Sequence, residues 1–255
     1  MIVSSGAKKP NVHASAYVAP TAVVSGDVTI EEGCAVLYGA VVTAEGAPVV
    51  VGANTVIMEN AVIRGSGGKV MQYPCTIGES CIVGPAAYIV GATIEPGAFI
   101  ASAAKIFNGA TVEEGVSVAI GGIVHVNSRV RKGQHVAMGH IAHGDPATIY
   151  SPDRAEEVHA KMNFFEDVFN LPNTGDVRAK AAEAYSKFLR AVHAQDATSA
   201  EAPKKAPPKP VRKTEEPPPT QNVEVEKVVD VMFVELEEAR LRREAAIARE
   251  KKGKR

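Results

Sequence analysis

The sequence predicts a mainly β protein, a left-handed parallel β-helix followed by C-terminal α-helices. Three observations carry this. Val or Ile recurs at every sixth position, a small residue sits four places after most of these leads, and the composition is poor in aromatics, at 5% with no tryptophan. The leads run Val12, Val18, Val24, Ile30, Val36, Val42; then Val51, Ile57, Ile63; then Ile77, Val83, Ile89; then Ile94 to Val136 in unbroken steps. All twenty are Val or Ile, with one residue skipped after Ile89. The second column includes Ala22, Cys34, Ala40, Ala61, Cys81, Ala87, Ala98, Ala104 and Ala110.

A period of six fits neither a helix nor one long strand. It fits a short strand and a corner, repeated. Three such faces close a triangular coil, and coils stack at the roughly 4.8 Å spacing of a sheet. The β-branched leads fill the interior and the small residues fit the corners, as in solenoids whose repeats touch only their neighbours. Counting faces puts Ile63, Ile89, Ile106 and Val124 in one column. Arg64, Val90, Phe107 and His125 follow one position later, which is where a site would be built.

The 255 residues carry a net charge of -1, which argues against nucleic acid or a membrane as partner. Three cysteines, Cys34, Cys75 and Cys81, form no CxxC and point to neither a disulfide framework nor a zinc knot. The first twenty residues lack an apolar signal core, and no run of 18 apolar residues follows, so a cytoplasmic protein is expected.

Several strings resemble the γ-class carbonic anhydrases of the hexapeptide-repeat superfamily: "SGDVTIEEGCAVLYGAVV", "VGANTVIMENAVIRG", "CTIGESCIVGPAAYIVGATIEPGAFI" and the exit "VAMGHIAHGDPATIYSPDRAEEV". The resemblance spans residues 11–171. It implies a homotrimer with zinc or iron at each subunit interface, held by three histidines, two from one subunit and one from its neighbour. The metal acidifies a bound water that attacks carbon dioxide. The ligand positions implied are Arg64, Pro85 and Val90. An arginine–aspartate pair of the family falls at Thr43 and Glu45, and a glutamine at Met58, beside Glu59. Arginine offers no lone pair, and proline and valine side chains have no donor atom. The resemblance therefore implies the scaffold without its metal site, no resident cofactor, and no carbonic anhydrase activity.

Other candidates come from the histidines. His140, His143 and Asp145 form a His-x-x-His-x-Asp string that could take relocated zinc or iron; the alternative is a polar solenoid exit. His125 is the candidate general base for an acyltransferase, since many hexapeptide-repeat proteins transfer acetyl groups from coenzyme A. Arg64 and Glu59 are candidates for an interface ion pair. His125, Glu59 and Arg64 are thus the residues to which a reacting role would fall.

The organisation expected is a β-helix over 1–148, helices packed on it over 149–195, a Pro-rich disordered linker over 196–222, and an amphipathic helix over 223–255. Ser151 and Pro152 suit a helix start, with Met162, Phe165, Val168 and Phe169 as its apolar stripe. A second helix runs from Thr174 to Gln195, with Ala181, Ala184, Tyr185, Phe188, Leu189 and Val192 on one side. The linker composition cannot bury a core. In the last segment Val225, Val228, Val229, Met232, Leu236 and Ala239 share one helical face. The function expected is a trimeric scaffold that binds a protein partner through residues 223–255. The alternatives are a metal-dependent lyase with relocated ligands and an acyltransferase.

Overall fold

The computed structural model describes residues 1–67, 71–162, 165–166, 171–172, 174–194 and 196–198. It is a left-handed parallel β-solenoid of about 8 turns. Among the described residues the strands form three sheets of 11, 7 and 7 strands, one for each side of the triangle. The leads stack in register, Val42 on Ile63 on Ile89 on Ile106 on Val124, and are fully buried.

Each corner needs a backbone turn that L-residues resist, so it selects residue type. At one corner Gly33, Asn54 and Ser80 stack with φ of 65°, 57° and 55°, the left-handed region where Gly and Asn are least penalised. The skipped residue after Ile89 has its own cause. Gly91 closes that corner at φ 53°, and a Cβ there would lie 2.4 Å from Cβ of Tyr73. Tyr73 belongs to a short arm, Gln72–Tyr73, that pairs antiparallel with Ser66 and Gly67.

The three faces differ in what they show outward. The first face carries Ser25, Thr43, Arg64, Val90, Phe107, His125 and His143 one position after the leads. The second is threonine-rich and charged, with Thr29, Thr76, Thr93 and Thr111 outward and Arg129 Nε 2.7 Å from Glu113 Oε1. The Lys132 N–H and Arg129 hold the Glu113 carboxyl below its usual range. The third face presents Tyr17, Ala35, Val56, Ile82, Phe99, Ser117 and His135 before the leads. Ala19, Leu37, Met58, Gly84, Ala101, Ala119 and Ala137 come after them, so neither column holds a Lys, Arg, Asp or Glu.

Beyond the solenoid, several expectations change. Strand Ile141–His143 is followed by Thr148–Tyr150, which folds back antiparallel on it. Ser151 sits at a helix start but its hydroxyl makes no capping bond; the chain forms a 3-10 turn, Pro152–Arg154, and a short helix α1, Ala155–His159. The apolar stripe expected to continue that helix lies partly outside the described residues. Helix α2 spans Val177–His193, shorter at each end than expected. Val177 and Ala181 are buried and Tyr185, Phe188, Leu189 and Val192 half-buried, while Ala184, expected on that side, is exposed. Asp196–Thr198, expected to open the linker, instead pairs antiparallel with Ile2–Ser5, satisfying backbone groups that a linker would leave to water. Residues 199–222 and the expected terminal helix, 223–255, lie outside the described residues.

All three cysteines are buried, and burial raises each thiol, Cys75 to about 11. A thiol-specific reagent at neutral pH is expected to leave the native protein unlabelled and to modify all three cysteines in denaturant. Labelling of any of them in the native state would show that the coil interior opens.

Candidate functional site

The site expected on the first face is set by strand register. Thr43 lies beside Arg64, and Arg64 beside Val90, on adjacent parallel strands. Phe107, His125 and His143 continue the column as a ladder of rings, with centroids 5.7 Å and 5.8 Å apart. Tyr88 joins at 6.2 Å from Phe107.

Arg64 is engaged from two sides. Its Nε is 3.0 Å from Glu45 Oε2, with the two side chains 21% and 13% exposed. The pair is not aligned as a hydrogen bond, so the attraction is mainly coulombic. A terminal guanidinium nitrogen donates to the Tyr185 hydroxyl, and the guanidinium carbon lies 5.8 Å from the centre of that ring. Tyr185 belongs to α2 and stacks on Phe188, 6.3 Å away. The other oxygen of Glu45 lies 3.7 Å from His193 Nε2 at the end of α2. His193 Nδ1 donates to Asp196, 2.6 Å away, in the strand that pairs with the first strand of the solenoid. Burial pushes the Asp196 carboxyl up, but the Ser5 hydroxyl and the His193 imidazole outweigh it and hold it below the ordinary carboxylate value. Glu45 thus links the solenoid, α2 and the segment that follows.

Arg64 and Glu59, the candidates for an interface ion pair, are not paired with each other within the chain. Glu59 sits at the corner after Val56–Ile57, where its carbonyl accepts the Ala86 N–H at 2.9 Å, and Arg64 turns instead to Glu45 on the preceding coil. Pro85 lies at the same corner one coil on, accepting the Ala103 N–H at 2.9 Å. Val90 is buried. Arg64, Pro85 and Val90, the positions that the resemblance assigns to the ligands, do not fit a metal by their own chemistry: a guanidinium has only N–H donors, and the other two side chains have no lone pair to give.

His140, His143 and Asp145 do not converge. His140 Nδ1 donates to the Met138 carbonyl at 2.9 Å, Asp145 lies 3.8 Å from Arg131, and His143 packs edge-on to His125. Among the described residues no three His, Cys, Asp or Glu side chains are grouped to hold a metal ion. His125 Nδ1 accepts the Val126 N–H at 2.7 Å, so the neutral ring carries its proton on Nε2. A general base would need the other tautomer or an upstream acceptor.

Tyr185, His193 and Asp196 have no signal in the six-residue pattern. Tyr185 falls in the stripe expected for α2, where its hydroxyl is the one polar group, and that is the only sequence cue to its role.

No protein-family model matches the chain. Over 101 residues it is 37% identical to the mitochondrial gamma carbonic anhydrase 3 of Arabidopsis thaliana, covering 38% of each chain. It is 34% identical over 105 residues to gamma carbonic anhydrase 2 of the same plant, covering 40% of this chain and 37% of that one. The chain spans under two fifths of the length of these relatives. Among solved structures it is similar to a hexapeptide transferase family protein from Anaplasma phagocytophilum, with TM-score 0.44, 20% identity, and coverage of 76% of this chain and 97% of that one. A putative acetyltransferase from Bacillus cereus matches with TM-score 0.38 and 18% identity, covering 76% and 98%. The chain is γ-carbonic-anhydrase-like in sequence and a hexapeptide-repeat β-helix in fold. Among the described residues no helix is long and apolar enough to cross a membrane.

Arg64→Met is expected to strand the Glu45 carboxylate in a mostly buried position. Urea denaturation should show a loss of about 1–3 kcal/mol, less than the roughly 3–5 of a fully buried pair. Amide exchange in α2 should quicken, and adding Glu45→Gln should restore most of the stability. Unchanged exchange across 177–193 would show that the cluster does not hold the helix.

Proposed function

We propose that this chain is a trimeric scaffold or assembly subunit built on the γ-carbonic-anhydrase-like β-helix, without the three-histidine metal site of that family. In this reading residues 223–255 are a tethered amphipathic helix that binds a protein partner. One observation carries the reading. Arg64, at the position that the resemblance assigns to the first metal ligand, is committed to Glu45 and Tyr185. A cation fixed there repels a metal ion, and its neighbours Val90 and Pro85 offer nothing to bind one. What a water-activating enzyme would spend on coordination holds a helix to the coil instead. The trimer rests on the family resemblance, and the partner role rests on the apolar stripe of the last segment.

Elemental mass spectrometry on full-length protein purified without chelator, with carbon dioxide hydration assayed on the same sample, tests this. Zinc, iron and cobalt far below stoichiometric and hydration at the buffer rate are expected. About one ion per chain, lost with activity on mutation of His125 or His143, would replace the scaffold with a lyase whose ligands have moved.

A further inference from the structure

The end of α2 carries a charge balance that depends on one proton. His193 is the last residue of the helix, where the final carbonyls favour a cation. Two carboxylates meet its ring. Asp196 Oδ2 lies 2.6 Å from Nδ1, and Glu45 Oε1 lies 3.7 Å from Nε2. Burial raises the Asp196 carboxyl, but the Ser5 hydroxyl and His193 bring it below the ordinary range, so Asp196 is ionised. An ionised carboxylate only accepts, so Nδ1 carries a proton in either state of the ring. The proton that comes and goes is the one on Nε2.

That proton decides the contact with Glu45. Without it, the lone pair of Nε2 meets a carboxylate oxygen, and the two repel. With it, an N–H and a positive charge meet the same oxygen, and the contact attracts. The Glu45 side chain is only 13% exposed, so salt screens this contact less than one at the surface. The other charged groups nearby leave the balance open. Arg64 offsets one of the two carboxylates, through Glu45 Oε2 at 3.0 Å. Lys8 and Asp27, which line a small pocket together with Ser5 and Val192, offset each other at 2.6 Å. Arg190, in the last turn of α2, is exposed. Two negative groups thus face one fixed positive group, and the cluster is neutral only when His193 is protonated.

Little else fastens this end of the helix. No residue of α2 after Ala181 is buried. The strand that Asp196 opens has three residues, paired with Ile2–Ser5. Elements with so few buried apolar groups open locally at low cost.

From these contacts we propose that His193 is a proton-operated latch. In its protonated form it fastens the end of α2 to the solenoid through Glu45, and to the following strand through Asp196. As pH rises and the ring loses its Nε2 proton, the hold on Glu45 is lost and this end loosens. The chain beyond residue 198 is rooted in that strand, so acidity sets how firmly its root is held to the first coil. The latch goes beyond the scaffold reading and does not depend on it.

Amide hydrogen exchange of the full chain tests this, read over residues 186–198 at about pH 5.5 and about pH 8 and corrected for intrinsic rates. Wild type is expected to lose protection about three- to tenfold at the higher pH, the size of one helix-end charge plus one partly exposed pair. Exchange over residues 100–130 is expected to show no such step. His193→Gln, neutral throughout, is expected to exchange fast at both pH values. His193→Arg, charged throughout, is expected to stay protected at both. Equal wild-type protection at the two pH values overturns the latch. So does a step that survives unchanged in His193→Gln, which assigns it to another group. Should that variant fail to fold, the wild-type comparison decides by itself.

Discussion

Everything in this molecule hangs on the stacking of one β-branched side chain directly over another, one coil apart. A lead that is Val or Ile fills the centre of the triangle and leaves no room for a shift in register. Because every coil returns its leads to the same columns, residues one coil apart become touching neighbours. Ile106 on Val124 is the interior case, and Phe107 on His125 the exterior one. The outer surface is therefore a set of columns, each with its own chemistry, and the faces acquire separate tasks without changing the interior.

That constraint also decides what could be read in the sequence. The fold was legible because the period is short and the leads are uniform. The column of Arg64, Val90, Phe107 and His125 followed by counting. The partner of Arg64 did not. Tyr185 is 121 residues away and arrives on a helix whose path no repeat dictates. Glu59 is nearer in sequence than Glu45, yet it lies beyond a corner, whereas Glu45 is on the adjacent coil, close to the strand of Thr43 that flanks Arg64. His140 and His143 look adjacent as a string, but His140 sits at the corner before strand Ile141–His143 with its ring turned to the Met138 carbonyl, while His143 meets His125. Proximity in a solenoid follows coils rather than chain separation.

The Glu45–Arg64 pair is costly to bury and gains little by itself. Its value is directional. Glu45 is reached by Arg64 from the same face and by His193 from the end of α2, and Arg64 is reached by Tyr185 from the middle of the same helix. A greasy stripe alone would leave the register of α2 on the coils loosely fixed, since apolar contact is not directional. Two polar contacts eight residues apart on the helix remove that freedom. The helix is thus indexed to particular coils rather than merely attached.

A parallel ladder invites its own continuation, and a solenoid has two ends at which another chain could add. On the first face both ends are closed by strands running the other way: Thr148–Tyr150 beyond Ile141–His143, and Asp196–Thr198 beyond Ile2–Ser5. A reversed strand offers the wrong hydrogen-bond pattern for another coil in the parallel sense. Growth of the parallel ladder is therefore blocked at both ends of this face by strand direction, and the first sheet is a closed unit rather than a pair of open edges.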